Sequence, residues 1–151
     1  MNNIKRAIAV SAIGIASIAS YEGVSLIAYP DPVGIPTICY GYTENVFLGM
    51  TKTKQECVYL LQSEIDKRTQ HILKEYKGSI TQGELEAYVS FSYNVGIGNF
   101  DRSTLLKKLK RGDRVGACNA LLEWVYAKGK KLPGLIARRA AERKTCLSGL
   151  N

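Results

Sequence analysis

Between Ala7 and Tyr21 the chain carries fifteen consecutive uncharged residues, directly behind Lys5 and Arg6 and directly ahead of Glu22. A cationic step followed by an uncharged, mostly apolar run is the layout of a signal sequence, which argues for export. As a helix the run covers roughly 22 Å at about 1.5 Å per residue, short of the ~30 Å hydrocarbon core of a bilayer. It is also diluted: of the fourteen residues Ala7 to Ser20 ten are apolar, five of them alanine, and three serines and a glycine complete the stretch. Three fates suit such a segment: a cleaved signal peptide, a weak transmembrane anchor able to leave the bilayer, and a buried helix of a soluble domain. Ile8, Val10, Ile13, Ile15 and Ile18 point around more than one helical face, so periodicity does not separate the last two. Ala16 and Ser20 offer small-residue cleavage sites.

At 151 residues and 46% hydrophobic content, the chain is long enough for one compact domain with a real core, with room for two lobes. Cys39, Cys57, Cys118 and Cys146 lie far apart, with no CxxC pair and a single histidine in the chain, so no metal site is expected. An even count fits disulfides in an oxidising compartment, against the alternative of four buried thiols in the cytosol. Of the three possible pairings, the short separations favour Cys39 with Cys57 and Cys118 with Cys146, one clip in each half. Twenty-one Lys and Arg against thirteen Asp and Glu give a net charge of +8, which favours nucleic acid, anionic lipid or an acidic wall polymer without choosing among them.

Beyond the first helix, Val33 to Tyr42 holds the alternation "TICYGY" and predicts a short hairpin, with turn signals at Pro30, Pro32, Gly34 and Pro36. From Thr51 the pattern turns helical: Thr51 or Thr53 can cap, Glu56 fits a capping box with Thr53, and Val58, Leu61, Ile65 and Ile72 recur at near-helical spacing up to Gly78. A second helix is capped near Thr81 and stopped at Gly96. "DRSTLLKKLKRG", "DRVGACNALLEWVYAKG" and "LPGLIARRAAERKTCLSGL" read as three more. The fold class is therefore α+β, mainly α, in two lobes.

Glu22 falls in the last turn of the first helix, ahead of Gly23 as the residue that ends it. The negative end of the helix dipole and the apolar neighbours Val24, Leu26 and Ile27 both favour the protonated form, which a general acid requires. Asp31 sits between two prolines in a turn, in a more solvated place, and Thr37 adds a hydroxyl able to hold a water. Two acids in unlike environments with a water-holding group suit glycoside hydrolysis. Spacing alone is equally the spacing of ordinary surface acids.

The arrangement Glu22, eight residues, Asp31, five residues, Thr37 resembles the catalytic signature of phage-type lysozymes, the endolysins of glycoside hydrolase family 24. "EGVSLIAYPDPVGIPTICYGYT", "SFSYNVGIGNFDRSTLLKKL" and "LLEWVYAKGKKLPGLIARRAAER" look like that family's N-lobe, central helix and C-terminal tryptophan segment, in order and over nearly the whole chain. The resemblance implies a two-lobed lysozyme-like fold, with a small β-hairpin in the N-terminal lobe and a helical C-terminal lobe. It implies a muramidase in which Glu22 is the acid, Asp31 the base or electrostatic partner and Thr37 the group that positions water. Tyr93 and Asn94 match positions that line the saccharide cleft, and Arg138, with Arg139 a close rival, matches a basic residue facing the acid. The family often has glycine and histidine where this chain has Cys39 and Tyr42. The four cysteines and the weak apolar run look like the signal-anchor-release subgroup, in which residues 1–20 form the segment and 21–151 the catalytic domain. Because the helix leading into Glu22 belongs to the family's N-lobe, retention fits better than cleavage. The further expectations are peptidoglycan as partner, transient contact with the inner membrane, a periplasmic location in a Gram-negative host, phage or prophage origin, a monomer, and neither a cofactor nor specific nucleic-acid binding. A noncatalytic wall-binding or membrane-active cationic protein and a lytic transglycosylase are the competing readings.

Overall fold

A computed structural model of the chain describes residues 8–150, so Lys5, Arg6 and Ala7 of the N-terminal expectation lie outside the described residues. The order is α1 (Ala12–Glu22), β1 (Ser25–Pro30), β2 (Pro36–Cys39), α2 (Lys54–Glu75), α3 (Gln82–Val95), α4 (Ile97–Arg102), α5 (Thr104–Lys110), α6 (Arg114–Ala120), a 3₁₀ turn (Leu121–Glu123), β3 (Tyr126–Ala127), β4 (Lys130–Lys131) and α7 (Pro133–Leu147). The α+β, mainly helical class holds. Two compact units emerge: Ala12–Lys67, and the chain from Arg68 onward together with the residues up to Ser11. One boundary falls inside α2.

In the Ala12–Lys67 unit, α1 ends where the Gly23 N–H reaches the Ala19 carbonyl at 2.9 Å, with Gly23 at φ +67°. β1 and β2 pair antiparallel, with Tyr29 opposite Thr37 and Pro30 opposite Pro36. The hairpin therefore begins earlier than Val33. Pro32 and Gly34 sit in the connecting turn, and Pro30 and Pro36 bound the two strands, where a missing backbone donor does least harm. The Ala28 N–H donates to Met50 and the Lys52 N–H to Leu26, both at 2.9 Å, which lays the chain ahead of α2 along the outer edge of β1. The capping box of α2 forms: Thr53 Oγ1 accepts from the Glu56 N–H at 3.1 Å, and Glu56 accepts from the Thr53 N–H at 3.0 Å. Cys57, Leu61 and Ile65, one helical turn apart, are buried with Ile18, Ala28 and Ile38. Each large aliphatic side chain so buried contributes about 1.5–3 kcal/mol. The disulfide Cys39–Cys57 joins the end of β2 to the first turn of α2.

In the other unit α3 is the central element, buried on nearly every side from Glu84 to Ser92. Such a helix needs its one charged buried group satisfied. Glu84 accepts from Arg114 Nε at 3.1 Å and, through the capping box with Thr81, from the Thr81 N–H at 2.9 Å. The helix stops at Gly96, as its sequence implies. Phe91 meets Trp124 edge-on at 5.3 Å and Phe100 at 6.3 Å. The disulfide Cys118–Cys146 joins α6 to α7.

Two expected helices divide. Helix formation begins at Ile97, and Ser103 interrupts it by capping a new one, its hydroxyl accepting from the Leu106 N–H at 3.2 Å. In "DRVGACNALLEWVYAKG" the helix ends at Ala120 and a β3–β4 hairpin follows. Lys128 and Gly129 take φ +50° and +76°, the pair of left-handed residues that a two-residue hairpin turn demands, so the helical reading of "WVYAKG" is corrected.

Ahead of α1 the chain is tied to α3. Gln82 Nε2 donates to the Ala9 carbonyl at 2.6 Å and to Glu86 Oε1 at 3.1 Å, and the Ser11 N–H donates to the same Oε1 at 2.9 Å. Burial, the largest single influence on Glu86, raises its pKa, but the bonds from Ser11 and Gln82 together outweigh it and hold the carboxyl below its ordinary value. A depressed carboxylate stabilises the folded state above the ordinary value of 4.5, and that contribution is lost as pH falls through the lower folded value. Acidification is thus expected to loosen residues 9–11 from α3. By NMR, the Ser11 amide resonance should titrate with a midpoint below 4.5 in the parent protein and not at all in Glu86→Gln; equal movement in both would disprove the contact.

Candidate functional site

Glu22 ends α1, half-buried, at a place set by Gly23 behind it. Its carboxylate lies against the turn that follows β2: a Cβ added at Gly41 would come within 3.3 Å of Glu22 Oε2. Gly41 also holds φ +75°, so two independent constraints disfavour a side chain there. The turn is closed by Ile38 and Tyr42, whose backbones exchange N–H to carbonyl bonds at 2.9 and 2.8 Å.

Asp31 and Thr37 are both organised by one backbone, that of Ile35. Asp31 Oδ1 accepts from the Ile35 N–H at 2.8 Å and from the Val33 N–H at 2.9 Å. The Ile35 carbonyl accepts from the Asp31 N–H at 2.9 Å and from Thr37 Oγ1 at 2.9 Å. The bonds to Asp31 converge on Oδ1, which leaves Oδ2 for another partner. The Thr37 hydroxyl spends its proton on Ile35, so what it offers outward is a lone pair. Thr37 itself is buried, while the side chain of Ile35 is nearly half exposed.

Cys39 follows at φ +60°, a conformation that costs a residue with a side chain about 1–2 kcal/mol and glycine almost nothing. It stands where the family resemblance implies glycine, and its bond to Cys57 holds the backbone there. Burial, then the charges of Glu44 and Glu64, raise the pKa of Tyr42 above its ordinary value, so it stays a neutral phenol at physiological pH.

In the other unit, Tyr93 is half-buried with the Arg68 guanidinium 4.8 Å from its ring centroid, and Asn94 is exposed near the end of α3. Arg138 is only 4% exposed; its Nε donates to Glu142 Oε2 at 3.3 Å and its Nη2 to the Ser90 carbonyl at 3.0 Å. Ser90 Oγ donates to the same glutamate oxygen at 2.5 Å. Arg139, wholly buried, donates to Glu142, to the Trp124 carbonyl at 2.9 Å and to Asn94 Oδ1. Sequence reasoning named Arg138, Arg139 and Asn94 but missed Ser90, Glu142, Gly41 and the backbone of Ile35. Glu142 alone left a signal, its three- and four-residue spacing from the arginine pair.

Among the described residues, His71, Glu75 and Asp101 bring ligand-type atoms within 4.8 Å of one another. His71 Nε2 is 2.6 Å from Asp101 Oδ1, and Glu75 pairs with Lys110 at 3.1 Å, so each of the three side chains already has a partner.

The Phage lysozyme family model matches residues 19–142. The SAR-endolysin of Enterobacteria phage PA-2 is 46% identical over 129 residues, covering 85% of this chain and 78% of that protein. Among solved structures, the active form of the P1 phage endolysin Lyz aligns with a TM-score of 0.82 at 27% identity, covering 94% of this chain and 86% of that one. The secreted inactive form of the same endolysin aligns less well, at 0.57, covering 72% and 77%.

Gly41→Ala is expected to destabilise the fold by about 1–2 kcal/mol, or roughly 2–8 °C in Tm, and to displace the Glu22 carboxylate. Gly49→Ala supplies the control: it has φ +95° with nothing within 4 Å of the added Cβ, so it carries the strain without the contact. Melting curves should shift alike for both variants, while the NMR chemical shifts of the Glu22 side chain should move only in Gly41→Ala.

Proposed function

The chain belongs to the phage lysozyme family, and from that premise we propose that it is a peptidoglycan muramidase with Glu22, Asp31 and Thr37 as its catalytic residues. The bond cleaved is the β-1,4 link between N-acetylmuramic acid and N-acetylglucosamine. The observation that carries the assignment is the single backbone residue, Ile35, to which both Asp31 and Thr37 are bound. A water that donates one O–H to Asp31 Oδ2 and the other to the Thr37 lone pair has its own lone pair directed away from both, toward an anomeric carbon. Glu22 supplies the proton to the departing glycosidic oxygen, and Asp31 receives one from the water as the new C–O bond forms. Tyr93 and Asn94 contact the saccharide. Arg138 joins them on the family resemblance, and it also secures Glu142 and Ser90.

The N-terminal segment, residues 1–20, is read as a signal-anchor-release element. In the inner membrane it holds the chain as a monomer on the periplasmic side of a Gram-negative host, carried there by a phage or prophage. On release the described part of the segment, residues 8–20, supplies most of α1 and the contacts of Ala9 and Ser11 with α3. Three features support this reading: the apolar, charge-free α1 running straight into Glu22, the SAR-endolysin relative, and the greater likeness to an active than to an inactive endolysin. Among the described residues no helix is long and apolar enough to cross a membrane.

Mass spectrometry of muropeptides released from isolated peptidoglycan is the direct test. Reducing N-acetylmuramic acid ends are expected from the parent protein and a loss of at least 100-fold in Glu22→Gln, the scale of general acid catalysis. Anhydro ends would reassign the reaction to lytic transglycosylation, and no fragments from either protein would leave a noncatalytic wall-binding role. Collapse of the membrane potential in cells should move the protein to the soluble periplasmic fraction at unchanged mass; a shortened product would contradict retention of the segment.

A further inference from the structure

Asn94 lies one residue before the end of α3, exposed, and its side-chain amide has two ends of opposite polarity: the oxygen accepts and Nδ2 donates. Which end faces outward decides what the residue recognises, and the partner that faces inward is Arg139 Nη2. A guanidinium has five N–H donors, no acceptor and a charge it does not lose, so the Asn94 atom turned toward it must be the oxygen. Arg139 has no freedom to offer anything else. It is wholly buried, its Nε is bound to the Trp124 carbonyl at 2.9 Å, its Nη1 to Glu142, and its plane lies 5.1 Å from the Phe91 ring centroid. Nδ2, which makes no hydrogen bond among the described residues, is therefore the end left to the surface.

We propose that Arg139 is a positioning residue that fixes the polarity of Asn94, so that Asn94 reads a hydrogen-bond acceptor on the glycan, namely the acetamido carbonyl of an N-acetylated sugar. A free amino sugar is rejected at this position. At neutral pH its ammonium group only donates, and it would meet the Nδ2 donors with the Arg139 charge behind them. The inference rests on the muramidase reading and deepens it by naming the substituent that the second unit selects.

The test uses the full chain carrying Glu22→Gln, so that binding is measured without turnover, on two purified wall glycans that differ only in the presence of N-acetyl groups. On the acetylated glycan Asn94→Ala should bind about 3- to 10-fold more weakly than its parent, the scale of one hydrogen bond. Asn94→Asp keeps an oxygen toward Arg139 and presents a second oxygen outward. It should lose at least as much on the acetylated glycan without a lower Tm, and on the de-N-acetylated glycan it should bind more tightly than its parent, reversing the preference. Asn94→Ala, which removes the Nδ2 donors, should bind the de-N-acetylated glycan at least as tightly as its parent. Arg139→Lys, which keeps the charge but not the fork, should weaken the acetyl preference while leaving binding to the de-N-acetylated glycan intact. An Asn94→Asp protein that binds acetylated glycan as well as its parent overturns the proposal. So does equal weakening of the Asn94 variants on both glycans, or a parent that binds neither. Failure of the muramidase reading is separate, because it appears as the absence of Glu22-dependent chain ends and leaves this binding comparison to be decided on its own.

Discussion

Two arginines and a glutamate, Arg138, Arg139 and Glu142, are buried together where α7 meets α3, and the unit they belong to cannot be assembled without settling their charges. Taking such groups out of water costs several kcal/mol per ion, repaid only when every remaining donor and acceptor is met. Here the Glu142 carboxylate is shared by both guanidinium groups. Further donors and charge are met by dipoles: the carbonyls of Ser90 and Trp124, the amide oxygen of Asn94 and the π face of Phe91. Removal of one member would strand the others at a cost of about 3–5 kcal/mol. The cluster is consequently a poor source of net stability and a strict source of register. Through Arg139 it also sets the orientation of the Asn94 amide.

The net charge of +8 conceals a strong asymmetry. The Ala12–Lys67 unit holds three Lys against six Asp and Glu, a net −3, while the rest of the chain holds eighteen Lys and Arg against seven Asp and Glu, a net +11. An anionic wall polymer is therefore attracted by the second unit, through exposed side chains such as Lys107, Lys110, Lys130 and Lys131, and not by the unit that carries Glu22 and Asp31. Attraction of that kind is screened over about 8 Å at physiological ionic strength, so it brings polymer to the surface without fixing which bond is cut.

What could be read from the sequence was local. The capping box at Thr53, the cap near Thr81, the stop at Gly96 and the stripe of Leu61 and Ile65 are decided by residues three or four apart, and the structure keeps them. The pairing of Cys39 with Cys57 and Cys118 with Cys146 followed from separation and holds as well. Boundaries that depend on competition were harder. Ser103 is an adequate helix residue until its hydroxyl is seen capping, and Lys128 is an adequate one until its neighbour Gly129 makes a left-handed pair available. Glu22, Asp31 and Thr37 were visible as a family pattern, yet nothing in their spacing reveals that Gly41 backs the first, or that the other two share a backbone partner. The orientation of Asn94 depends on an arginine forty-five residues away and has no local signature.

Ile35 acts on Asp31 and Thr37 through its peptide groups alone, while its side chain is nearly half exposed. A position of that kind is free to drift across many residue types as lineages diverge, because the N–H and carbonyl it supplies are common to nearly all of them. Proline is the exception, since it would remove the donor that Asp31 accepts. Variability in an alignment would then be a misleading measure of importance here. The informative record would be a single missing letter in an otherwise permissive column.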